Sequence, residues 1–450
     1  MDSTLFGQER ISRILWRLAP PVMLAQLIQA LYNIVDSFFV GKYSEAGLTA
    51  LSIVYPLQLM MIALAVGTGV GLNTAIARYH GTGDHERAQR IASTGLPLAL
   101  GLWVVFAGVS YGVLPAYAAM SSDSPEVIRE VIVYGRIVCV ASVGLFCESV
   151  WTKVLQADGD MKTPMLAQIA GAVTNIVLDP ILIFGWGVPA MGIAGAAIAT
   201  AAGQLVAAVI VLPRGYRRSP ARQEYPGYLK LIYRLGTPNI LMQLAYTFYI
   251  LGLNLILSGF SDQAVTALGL YYKWQTFFFI PLGALQTCIV PILSYNYAAR
   301  RPDRVRQTLM TSLLFGAALM AVGTLCFEVL PAPMLRVFTA DPEVIRIGTY
   351  GFRWIGPSFL PMVTSLLFPV FFQAVGQALK SSLRTVIRTV VLFVPLGYLF
   401  SRFGLEWFWL TFVCTEVLTS AVGLVFYRQF VKRTESAVPS ETQGFCAARE

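Results

Sequence analysis

Twelve apolar runs, each close to or above the roughly 20 residues an α-helix needs to cross a bilayer, constrain this chain more than any other feature. They fall at roughly 14–40, 48–78, 91–115, 126–152, 163–186, 191–213, 231–258, 265–298, 308–330, 343–372, 382–400 and 405–430. Apolar residues make up 56% of the 450 and charged residues only 13%, about half of what a soluble domain carries. Soluble domains could not hide that much apolar surface, because too few polar groups remain to cover them. A secreted repeat protein, a disordered scaffold and a cytosolic enzyme are thereby excluded. The expected fold is all-α and integral to the membrane, with twelve transmembrane helices.

Lys and Arg set the direction of threading. With the N-terminus inside, 25 of the 33 fall on the inner side, among them Arg17, Arg78, Lys153, Arg217, Arg304, Arg384 and Arg388, against Lys42, Arg336 and Arg402 outside. Both termini are therefore expected in the cytoplasm. The net charge of +9 is spread over short gaps between spans, so it reports topology and not a nucleic-acid surface. Arg10, Arg13 and Arg17 precede the first span without a small-residue cleavage site, so the span reads as retained. The six cysteines are scattered through apolar runs and suggest neither a disulfide framework nor a zinc site.

The second half repeats the first at a fixed offset. Arg17 and Arg234, Pro21 and Pro238, Gln26 and Gln243, and Tyr32 and Tyr249 are each 217 residues apart. The run Pro125 to Arg129 recurs identically at Pro342 to Arg346, and Gln156, Ala157 and Gly159 recur at Gln373, Ala374 and Gly376. A gapless offset of this length indicates duplication. Six spans per copy make the repeat parallel, with a cavity expected between two pseudo-symmetric lobes. The expected division is a lobe over 1–213, a cytoplasmic linker over 214–230, a second lobe over 231–430 and a disordered cytoplasmic tail over 431–450.

Charges within spans cost about 2.5–3.5 kcal/mol on insertion scales and so mark functional positions. Asp36 sits about 28 Å along span 1 from Arg17, and Asp179 about 25 Å along span 5 from Lys162. Asn175 shares a helix face with Asp179, and Thr200 lies at similar depth on span 6. Two carboxylates at matched depth with an amide and a hydroxyl suit a shared proton or a small oxygen-lined cation site. The competing reading has Asp36 meeting water at an outer helix end near Lys42. Offset by 217, the positions of Asp36, Asn175 and Asp179 become Leu253, Leu392 and Leu396, so only one copy carries the carboxylates.

Other polar positions yield weaker readings. Lys273, inside an apolar run, either finds a buried partner or snorkels to the outer surface. Glu148 and Glu416 read as packing or cavity polarity, and Gln26, Asn33, Gln243 and Lys273 as substrate-cavity residues. Gly67-Thr-Gly69-Val-Gly71 lies within a span and reads as close helix packing, not a dinucleotide fingerprint. Asp158-Gly159-Asp160 reads as a turn, and His80 and His85 as solvated loop residues. There is no Walker motif, so ATP is not expected to drive the protein directly, and no cofactor is expected.

Several of these segments resemble one known family. Val35-Asp36-Ser37-Phe-Phe-Val-Gly41, Gly81-Thr-Gly83-Asp84-His-Glu86-Arg-Ala88 and Gln156-Ala-Asp-Gly-Asp-Met-Lys-Thr-Pro164 are similar to motifs of the multidrug and toxic compound extrusion (MATE) family. So are Asn175-Ile-Val-Leu-Asp179-Pro-Ile-Leu-Ile-Phe-Gly185 and Gly192 to Thr200, and the pattern looks nearest to the DinF-like and MepA-like prokaryotic branch. The resemblance implies export of cationic amphipathic compounds against entering H⁺ or Na⁺. It places the coupling cation at Asp36, Asn175, Asp179 and Thr200. Other branches add a carboxylate on helix 7, where this chain has only Asn239, Gln243 and Asn254. The implied setting is the cytoplasmic (inner) membrane, with small organic cations as partners, no nucleic acid and a functional monomer. The alternatives are a lipid-linked precursor flippase of the same superfamily, which would want several cationic cavity residues, and an intramembrane transferase, which would want an acidic or His cluster.

Overall fold

The computed structural model describes residues 5–122, 124–217 and 225–436. In the first half α1 (Leu5–Gln8) precedes α2 (Ile11–Tyr43), α3 (Glu45–Gly81), α4 (His85–Ser93) and α5 (Gly95–Ser121). Then come α6 (Pro125–Val140), α7 (Val143–Ala157), α8 (Lys162–Phe184) and α9 (Ile193–Gly215). The second half holds α10 (Tyr225–Ser258), α11 (Asp262–Ala298), α12 (Pro302–Val329), α13 (Pro331–Arg336) and α14 (Pro342–Ile355). It ends with α15 (Phe359–Ala374), α16 (Ala378–Val386), α17 (Val394–Ser401), α18 (Leu405–Phe408) and α19 (Leu410–Ser436). Among the described residues, eleven helical stretches are long and apolar enough to cross a membrane. The pair α6 and α7, bent by 41° at its break, makes a twelfth when taken as one span.

Helix is the only outcome open to such runs, because in lipid every backbone N–H must find a partner within its own segment. The ends are set by local chemistry. The Ser44 hydroxyl accepts the Gly47 N–H at 3.1 Å to start α3, and its repeat mate Ser261 accepts the Ala264 N–H at 3.1 Å to start α11. Asp84 caps α4 by accepting the Arg87 N–H at 3.0 Å. Large apolar side chains such as Val105, Leu255 and Leu314 remain exposed on the outer surface of the bundle, as a lipid-facing wall requires.

The offset of 217 survives as geometry. Glu45–Gly81 maps residue for residue onto Asp262–Ala298, and the starts of α4, α6 and α9 map onto those of α12, α14 and α19. Packing follows two apolar cores, but these do not divide at the linker. Ile11, Ile14, Leu15 and Leu18 of α2 belong to the core of the second half, while Ile232 and Leu235 of α10 belong to that of the first. The opening helix of each copy thus reaches across to the other at one end of the bundle.

That end is also where the arginines gather. Arg217 meets Gln89 and Asp158, the Arg78 guanidinium donates to the Ala374 carbonyl, and Arg301 and Arg304 donate to carbonyls of Phe6, Gly7 and Glu9. Here the halves close tightly. A Cβ on Gly71 would stand 2.2 Å from the Ile232 carbonyl, and one on Gly81 2.1 Å from that of Tyr295. The motif Gly67-Thr-Gly69-Val-Gly71 is therefore a packing seam between halves. Linker residues 218–224, Arg218 and Arg222 among them, and tail residues 437–450 lie outside the described residues.

Two sequence expectations need correction. His80 is buried and not solvated: its ring nitrogens lie 3.0 Å from Asp158 Oδ1 and 3.1 Å from His85 Nδ1. Arg384 and Arg388, counted with the inner loop, are buried inside the second half. Arg388 donates to Glu416 Oε1 from Nε at 3.0 Å and from Nη2 at 2.6 Å, so Glu416 is an ion-pair partner. The turn at Gly159 fits its expected role, with φ of +83° there and at its mate Gly376, a conformation that favours glycine.

Candidate cation site in the first half

Each site residue comes from a different local cause. On α8, Gln168, Asn175 and Asp179 recur at near-helical spacing and line one stripe, started by Asp160, whose Oδ1 accepts the Lys162 and Thr163 N–H groups at 3.0 Å. On α9, Thr200 faces that stripe because small residues let the two helices touch. A Cβ on Gly203 would sit 2.5 Å from the Gly171 carbonyl. On α2, Asp36 lies in the outer stretch beyond Pro20 and Pro21, on the face turned into the first half.

The structure brings Asp36, Asn175, Asp179 and Thr200 together and buries all four, with Asp179 wholly inaccessible. The Asn175 amide, oriented so that both its ends are satisfied, donates to Asp179 Oδ2 at 3.2 Å and accepts from the Thr200 N–H at 3.1 Å. The carboxyl groups of Asp36 and Asp179 are neighbours in this buried site. Two carboxyl groups so placed can hydrogen-bond only when one of them carries a proton. One oxygen of each, Asp36 Oδ1 and Asp179 Oδ1, is buried with no protein partner. Two unfilled carboxyl oxygens side by side can take a proton, or contribute to a small oxygen-liganded cation.

Asp36 and Asn175 open onto a cavity of about 700 Å³. Gln26 and Asn33 line it as well, whereas Gln243 and Lys273 lie outside it. Gln243 donates to Asn239 at 3.2 Å. Lys273 is exposed, its Nζ 5.1 Å above the Phe338 ring. Of two further cavity residues, the sequence does not single out Tyr134, whereas it reads Glu148 as packing or cavity polarity. Tyr134 accepts from Gln58 at 3.2 Å beside the site, and Glu148 lies deeper. Neither carries a local signal, because aromatic and single acidic residues in a span are also common as packing.

With this geometry in view, likeness to known proteins can be weighed. The MatE family model matches residues 21–181 and 238–399, two segments that begin 217 residues apart. The chain belongs to the MatE family. It is 23% identical over 437 residues to the multidrug export protein MepA of Staphylococcus aureus (strain MSSA476), covering 94% of this chain and 95% of that one. The MepA of Staphylococcus haemolyticus (strain JCSC1435) is also 23% identical, over 434 residues. Among solved structures, a multidrug resistance MATE family transporter in an outward-facing conformation superposes with a TM-score of 0.89 at 23% identity, over 97% of this chain and 99% of that one. A MOP superfamily transporter from Pyrococcus furiosus Vc1, described as having a binding pocket of reversed polarity that suggests a different function, gives a TM-score of 0.89 at 22% identity.

Among the described residues of this MatE chain, the second half shows no counterpart of the site. Leu253, the mate of Asp36, is fully buried against Gly397. Around it Tyr249 stacks on Phe393 at 4.7 Å and Phe327 on Phe352 at 4.6 Å. Aromatic rings pack against one another in the core of this half.

Proposed function

We propose that this MatE protein is a secondary active multidrug exporter that expels cationic amphipathic compounds in exchange for H⁺ or Na⁺, with Asp36, Asn175, Asp179 and Thr200 as the coupling site. The observation that carries this reading is the pairing of Asp36 with Asp179, each with one oxygen unfilled, at the wall of a large cavity. Two neighbouring buried carboxyl groups can share a proton, which supports H⁺ as the coupling ion. Transport, not catalysis, is the activity. The basic end is assigned to the cytoplasm by its arginines.

The charge of the cavity supports the choice of substrate. Among the described residues its charged lining side chains are Asp36 and Glu148, so an organic cation is attracted and an anionic lipid precursor repelled. That argues against the flippase alternative. Protonation removes the charge of Asp36, and Pro20, Pro21 and, beside Asp179, Pro180 are places where helices can bend in response. A shifted α2 narrows the cavity, expels the cation and biases a rocking of the two halves.

The test is uptake of a panel of organic cations into everted vesicles under separate pH and Na⁺ gradients. Asp36→Asn is expected to abolish gradient-driven transport while expression and folding stay normal. Wild-type rates in that variant would show that Asp36 does not couple.

A further inference from the structure

The cavity holds a second carboxylate that the coupling site does not use. Glu148 of α7 is nine-tenths buried, accepts the Thr152 hydroxyl at 2.7 Å and has Gln168 of α8 against it. Gln168 is 11 residues from Asp179 along α8, which sets Glu148 about 16 Å nearer the basic end. From there to the start of α8 is six residues, about 9 Å. The wall between the two acids is lined by Asn175, Gly171, Ala172, Gly203 and Gln204, small or polar side chains that leave room for water.

Glu148 is therefore a carboxylate of the cavity wall that lies between the pair and the basic end. The charged group that acts on it is Lys153 of the same helix, whose Nζ donates to Gln156 Oε1 at 2.8 Å and which has the Cys288 thiol of α11 nearby. From α3, α8 and α9 only neutral side chains line the cavity at that depth. Glu148 thus stands on the cavity wall between the Asp36–Asp179 pair and the basic end, placed to receive a proton through cavity water. Its mate at offset 217 is Ser365, so the second half carries no acid at this position.

Resting on the antiport reading above, we propose that Glu148 is a second proton station. It accepts the proton that leaves the Asp36–Asp179 pair and hands it to water at the basic end when the seam opens. The step is a transfer between carboxyl oxygens through cavity water. The proton lost by the pair is gained by Glu148 and then by solvent, and no other bond changes.

The test uses the full-length protein in proteoliposomes, with ethidium as the probe, an imposed pH gradient and a series of pH values. Glu148→Gln keeps the size and the acceptor for Thr152 but cannot carry the proton. It should lose transport by about tenfold or more. Glu148→Asp should restore much of the rate with a displaced pH profile, which a purely structural role would not produce. Wild-type rate and pH profile in Glu148→Gln overturn the proposal while leaving the antiport reading intact. A wild-type protein that ignores the pH gradient overturns the proposal, and one that also ignores an imposed Na⁺ gradient overturns the antiport reading as well. Should Glu148→Gln fail to fold, Thr152→Val and Gln168→Leu each remove one neutral neighbour of the carboxylate. Displaced pH profiles in these two support the station, and unmoved profiles in both overturn it.

Discussion

The two halves share helix boundaries almost to the residue, yet they use their interiors in opposite ways. In the first half Ala167, Gly171, Ala199 and Gly203 of α8 and α9 are small and buried, the helices touch at Gly171 and Gly203, and a cavity with Asp36 and Glu148 in its wall lies beside them. Their mates at offset 217 are Arg384, Arg388, Glu416 and Ser420. There two guanidinium groups and a carboxylate are wedged between the corresponding helices, and aromatic rings occupy the remainder. The π-helical stretch Ile387–Phe393 lies where Arg388 enters, against an α-helix that continues through Asp179 in the first half. A duplicated scaffold thus needs only a few residues on one helix pair to become a hollow half or a filled one.

The contrast can be broken at several points. The largest effect is expected from Glu416→Gln, which leaves Arg388 buried without its counterion. Removing one member of such a pair costs about 3–5 kcal/mol, read as a drop in the unfolding temperature of detergent-solubilised protein. Replacing both partners, Arg388→Met with Glu416→Leu, should recover most of that loss, because a well-packed apolar pair often matches a buried ion pair. A double variant as unstable as the single one would mean that the pair has a role beyond mutual neutralisation.

A smaller effect is expected at the first-half seam. Gly171→Ala places a Cβ 2.7 Å from the Gly203 carbonyl, and overpacking of this kind costs about 1–3 kcal/mol. Because Asn175 and Thr200 sit on the two helices pushed apart, transport should fall more than stability does. Equal transport in this variant would show that the site tolerates a looser seam. The smallest effect is expected for Lys273→Met, which removes an exposed lysine outside the cavity and should leave ethidium transport and thermal stability as in wild type. A loss of transport there would extend the substrate path beyond the first half.

The sequence was a good guide to whatever depends on hydropathy and spacing, and a poor one to contacts between distant residues. Span positions and the repeat were legible because apolar runs and a constant offset are local quantities. Asp36, Asn175, Asp179 and Thr200 could be grouped because helix rise converts residue number into depth. Arg384 and Arg388 were hidden for the same reason: they follow Lys380 at the edge of an apolar run and look like loop charges, while the partner Glu416 lies 28 residues further on. His80 was misjudged because Asp158, 78 residues away, is what holds it in the interior. No hydropathy profile shows that the basic ends of α2 and α10 pack into the opposite half, since the choice lies between two equally apolar neighbours.

The central claim, that proton exchange resides in the first half alone, is tested most directly by counting protons released when ethidium is added to purified protein in weak buffer with a pH-sensitive dye. Three proteins suffice: wild type, Asp36→Asn, and the double variant Arg388→Met with Glu416→Leu. The account predicts release from the wild type and from the double variant, and none from Asp36→Asn. Release that persists in Asp36→Asn, or disappears in the double variant while ethidium still binds, would contradict it.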